Sequence, residues 1–164
     1  MADHLATYLT DHMAGSVAAL ELLERLKGEH EGGPIAATAS QLLDEIGDER
    51  KVLDGLAGRV GASVTLPRRA ASWVAEKAAQ AKLLYDDPSG GALRLLESFE
   101  ALSLGIEGKR LLWRALATAS ARRPELVGPD YDALIALAED QRRRVEAHRV
   151  AAAEEALAAP TPAA

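Results

Sequence analysis

The chain has 164 residues, carries 19 Lys and Arg against 25 Asp and Glu for a net charge of -6, and contains no cysteine. That length suits one domain with a real core. The acidic balance argues against nucleic-acid binding, which needs clustered positive charge, and the missing thiols exclude disulfides, iron–sulfur clusters and thiol catalysis.

Apolar residues make up 48% of the chain but aromatics only 4%, so the core must come from Leu, Ala, Val and Ile, a helical palette. A first helix is expected over residues 3–30, with Asp3 as N-cap. Its stripe runs Leu5, Leu9, His12, Ser16, Ala19, Leu23, Leu26 at steps of four and three. The EGGP run at 31–34 stops it. A second helix is expected over 36–59, with the stripe Ile35, Ala39, Leu42, Ile46, Glu49, Leu53, Leu56, Val60. SVTLP at 63–67 reads as an extended linker. A shorter helix follows over 68–85, with Trp73, Val74, Ala78 and Ala81 on its buried side, and DDPSGG at 86–91 is a loop.

The next long helix is expected over 92–120. One stripe carries Leu95, Phe99, Leu102, Ile106, Trp113 and Leu116, and a neighbouring one Leu96, Glu100, Ser103, Glu107 and Leu111. RRPELVGPD links it to a last helix over 130–157, capped by Asp130, whose stripe is Tyr131, Leu134, Ala138, Gln141, Val145, His148, Ala152. Residues 1–158 then form a single all-α domain, and APTPAA at 159–164 is expected to be a disordered tail. The opening MADHLATYLTDH lacks the basic-then-apolar pattern of a signal peptide, and no stretch approaches about 18 uncharged apolar residues. No membrane partner is expected, and a cytoplasmic location is the default.

Loop lengths predict the topology. EGGP closes an antiparallel hairpin, and the linker before Asp130 closes another. The shorter helix, about 27 Å long at about 1.5 Å per residue, carries the chain back along the bundle, so the two middle long helices run parallel. The alternative is an up-and-down bundle with the extra helix across one end.

Polar residues interrupt each long stripe. Antiparallel pairing within the hairpins sets Glu49 opposite His12 and Ser16, Glu100 opposite His148, and Glu107 opposite Gln141. A buried carboxylate is costly unless paired, so His12, Ser16, Glu49, Glu100, Glu107, Gln141 and His148 are expected to form a buried hydrogen-bonded network. The sharper alternative is an iron or manganese site held by His12, Glu49, Glu100 and His148, because di-iron and di-manganese bundles converge carboxylates and imidazoles in their core. Those sites use Glu-x-x-His pairs, and here Leu9 and Val145 stand three residues before His12 and His148.

Two further signals carry little. SLGIEGKR at 103–110 has Ser and Arg where a phosphate loop needs Gly and Ser or Thr, and its Gly105 and Gly108 are expected to permit close helix approach. Ser16 lies one turn from His12 without a strand elbow or an oxyanion hole. The run 142–144 of three arginines, and the cluster Lys109, Arg110 and Arg114, read as solvated faces with surface ion pairs.

The phrases YLTDHMAGSVAALELLERL, SLGIEGKRLLWRAL and AEDQRRRVEAHRVAAAEEAL resemble the ferritin-like helical-bundle superfamily, in a small bacterial branch that lacks the di-iron Glu-x-x-His motifs, over about residues 3–157. The resemblance implies a ferritin-like four-helix bundle, two antiparallel hairpins joined by a helical crossover, with a metal-oxidising ancestry. The motif that carries that chemistry is missing, so no catalytic residue transfers and no cofactor is expected. The resulting expectation is a non-catalytic structural or interaction protein, homodimeric through extra apolar faces such as Trp73, Leu83 and Leu84. A degenerate metal-binding bundle is the alternative, and a bundle whose polar centre, lined by His12, Ser16 and Gln141, holds a small molecule is a third reading.

Overall fold

The computed structural model describes residues 4–62 and 91–158. Four long helices carry almost all of them: α1 (His4–Glu29), α2 (Pro34–Arg59), α3 (Ala92–Ser120) and α4 (Tyr131–Ala158), with a single 3-10 turn at Pro124–Leu126 before α4. The expected helix over 68–85 with Trp73, Leu83 and Leu84, the SVTLP linker, most of the DDPSGG loop, the Asp3 cap and the 159–164 tail lie outside the described residues. No described helix is long and apolar enough to cross a membrane.

The helix ends follow local chemistry. Gly32 takes a left-handed backbone, φ 75°, which suits glycine, and Pro34 opens α2 in its first turn, where its missing N–H costs nothing. That proline starts α2 two residues before the expected boundary. Asp130 caps α4, its carboxylate accepting from the Ala133 N–H at 3.0 Å. The Tyr131 hydroxyl donates to the Leu126 carbonyl at 2.6 Å, and Arg59 donates to the Val127 carbonyl at 2.8 Å. The first bond closes the α3–α4 connection on itself, and the second fastens it to the end of α2.

Two apolar clusters fill the bundle. One joins Leu23 and Leu26 of α1, Ala39, Leu42 and Ile46 of α2, Leu96 to Ile106 of α3, and Val145 and Ala152 of α4. The other joins Leu9 and Met13, Leu53 and Leu56, Leu112, Trp113 and Leu116, and Leu126 with Tyr131. The first halves of α2 and α3 thus share one end of the bundle and their second halves share the other. The two helices run parallel, while α1 pairs with α2 and α3 with α4 as antiparallel hairpins. This is the arrangement the loop lengths predict, and it disfavours the up-and-down alternative.

Candidate functional site

Between the clusters lies a polar layer. On α2, Glu49 falls between Ile46 and Leu53; on α3, Lys109 falls between Ile106 and Leu112; on α4, Gln141 falls between Ala138 and Val145. Each position belongs to its helix's buried stripe, so helical periodicity turns all three inward. Glu49 is 3% exposed and Gln141 fully buried, while the Lys109 side chain keeps 15% of its surface.

The Lys109 ammonium donates both to Oε2 of Glu49 and to Oε1 of Gln141. Trp113 Nε1–H donates to the other oxygen of Glu49 at 3.2 Å. The Gln141 amide nitrogen donates to Glu49 at 3.0 Å and to Glu45 at 3.1 Å. Only one amide orientation satisfies this set, because an ammonium cannot accept and carboxylates cannot donate. Further out, Arg144 donates to Glu45 at 2.6 Å and lies 2.9 Å from Asp140. A lysine, an indole and an amide therefore engage Glu49. Burial pushes the Lys109 amine below its ordinary range, against the opposing pull of Glu49.

The expected site residues divide accordingly. Glu49 and Gln141 come together as expected. His12 does not face Glu49: it is half-buried against the edge of Tyr8, ring centroids 4.7 Å apart. Ser16 donates to the Met13 carbonyl at 2.7 Å and accepts from Arg50 at 3.1 Å. His148 stacks on Phe99 at 5.4 Å and bonds Thr38 at 2.9 Å, not Glu100. Glu100 is exposed and lies 3.6 Å from Arg149. Glu107 is gripped by Arg110 through two bonds of 2.8 Å and lies 3.1 Å from Arg142, not against Gln141.

The seven-residue buried network is thus replaced by a smaller one that Lys109 centres. His12, Glu49, Glu100 and His148 do not converge; among the described residues no three His, Asp or Glu side chains are grouped to hold a metal ion. A depression of about 310 Å³ lies over Leu43, Gly47 and Lys51 on the outside of α2, and another of about 260 Å³ lies at the bundle end by Leu26, Gly91 and Ser98. Neither is lined by His12, Ser16 or Gln141, so neither is the pocket that the small-molecule reading requires.

Lys109, Glu45 and Arg144 escaped the sequence reading. The signal for Lys109 was present: Phe99, Leu102, Ile106, Lys109, Trp113 and Leu116 continue one stripe at steps of three and four. Arg144 likewise belongs to a run expected to be solvated, yet it turns toward Glu45, while its neighbours Arg142 and Arg143 take Glu107 and Asp140.

No family model, curated protein or solved structure matches the chain.

Proposed function

We propose that this chain is a ferritin-like bundle in which a lysine stands where a core cation would sit, and that it acts as a structural or interaction protein rather than as a catalyst. The observation that carries this reading is the Lys109 ammonium held between Glu49 and Gln141. A ferritin-like core gathers carboxylates around cations; here the countercharge of the buried carboxylate is a side chain of α3. The parallel α2 and α3, and the two hairpins, support the ferritin-like lineage. The lack of any Glu-x-x-His pair in the sequence agrees with a scaffold that kept its shape and lost its redox chemistry. A bundle of this kind works through its outer faces.

The test is elemental analysis of protein purified without chelators or a histidine tag, before and after soaking with iron or manganese. The expected result is no stoichiometric metal in either sample. Stoichiometric iron, manganese or zinc that disappears in Glu49→Ala overturns the proposal and revives the metal-binding alternative.

A further inference from the structure

The outer face of α3 carries a seven-residue repeat. Glu97, Leu104, Leu111 and Thr118 recur every seven residues, and Ala101, Gly108 and Ala115 recur every seven between them. Such interleaved sevens place both sets on one seam of a helix. The seam is apolar where it should be wet: Leu104 is 74% exposed and Leu111 50%. Among the described residues no neighbouring helix makes the close approach expected at Gly105 and Gly108. A Cβ built on Gly108, or on Gly105, meets nothing within 4 Å among the described residues, so the cost of a mid-helix glycine has no return among them.

Charge along the seam distinguishes antiparallel from parallel pairing of two copies. Glu97 and Glu100 lie toward the N-terminal end of α3 and Arg114 toward its C-terminal end, with Glu100 and Arg114 exposed on the same flank. Two copies of α3 laid antiparallel about a two-fold axis between Glu107 and Gly108 bring Leu104 of each against Leu111 of the other. In nearly the same register Glu100 of each copy, which Arg149 of its own chain approaches at 3.6 Å, comes opposite Arg114 of the other. Parallel pairing instead sets Glu100 beside Glu100 and Arg114 beside Arg114, which is unfavourable. Glu107 falls near the two-fold axis, but it already carries its countercharges in Arg110 and Arg142.

We infer that the chain forms a two-fold homodimer through antiparallel α3 helices packed at Gly108. This rests on the interaction role proposed above and names its surface.

The experiment is light scattering of the full chain across a concentration series, with surface variants whose helicity and melting are checked alongside. The wild type is expected at twice 17.4 kDa. Leu104→Glu should weaken association by at least roughly tenfold. Glu100→Arg and Arg114→Glu should each weaken it and together restore it. Gly108→Cys should form a disulfide-linked dimer under mild oxidation, and Gly105→Cys, off the seam, should not. A wild-type monomer at every concentration overturns the inference, whether Leu104→Glu leaves melting unchanged or lowers it, the latter meaning that the seam is covered from within the chain. A dimer that survives Leu104→Glu and fails to cross-link through Gly108→Cys uses another face and overturns it equally. The metal measurement is independent: a metal-free monomer refutes this dimer alone, and a metal-loaded dimer refutes the lysine-for-metal reading alone.

Discussion

Glu49 is surrounded by three donors, and only one of them is charged. Breaking a buried ion pair by removing one partner typically costs about 3–5 kcal/mol, because an uncompensated charge remains, whereas replacing both is often neutral. Lys109→Met is therefore expected to lower unfolding free energy by roughly that amount, and Lys109→Met with Glu49→Gln to recover most of it; urea unfolding measures both. Equal losses in Lys109→Met and the double variant would mean that the Glu49 charge left without its cation costs nothing. The two histidines make a different prediction. Burial pushes His148, and His12 despite the nearby Asp11, below the ordinary 6.5. The folded chain then binds fewer protons than the unfolded one just below that value, so stability falls as pH drops through 6.5 toward the lowered values. His12→Leu with His148→Leu should shrink the stability lost between about pH 7.5 and about pH 5.5; an undiminished loss would assign the effect to carboxylates.

Along each helix, position was legible and rotation was not. The α3–α4 level pairs Glu107 with the 141–142 region, as the hairpin register implies, but the carboxylate turns to Arg142 while Lys109 takes Gln141. One residue of helix is about 100° of rotation, enough to carry a side chain from core to flank. Glu100 illustrates this: its neighbour Phe99 holds the inward place and stacks on His148. Glu49 and Gln141 were readable because they interrupt otherwise apolar stripes. Lys109 interrupts one too, but a lysine beside an arginine reads as surface unless the stripe is followed through it. Helix ends were the most legible feature, because caps and breakers act locally. Asp130→Ala should cost about 1 kcal/mol through the lost cap, and Gly32→Ala about 1–2 kcal/mol through its left-handed backbone; thermal melts of the two variants test this.

At the scale of the whole molecule, the parallel course of α2 and α3 sets which ends meet. Arg94, near the start of α3, reaches Glu29, at the end of α1, at 2.7 Å; an up-and-down bundle would set those residues at opposite ends. Since the chain has no native cysteine, Glu29→Cys with Arg94→Cys is expected to cross-link with a short thiol reagent within one chain, and failure would refute the parallel arrangement. Hairpin pairing followed from loop lengths alone, whereas the partners of Lys109, Glu49 of α2 and Gln141 of α4, became legible only when three helices were assembled.

A cation tethered to α3 also changes the kinetics of assembly. Capture of a free ion is bimolecular, so the rate at which a carboxylate layer closes depends on how much ion the solution supplies. Lys109 arrives with the chain, one per Glu49, at an effective concentration set by chain connectivity rather than by the medium. Closing the contact between Lys109 and Glu49 is thus a first-order event within folding, and its rate does not vary with dilution.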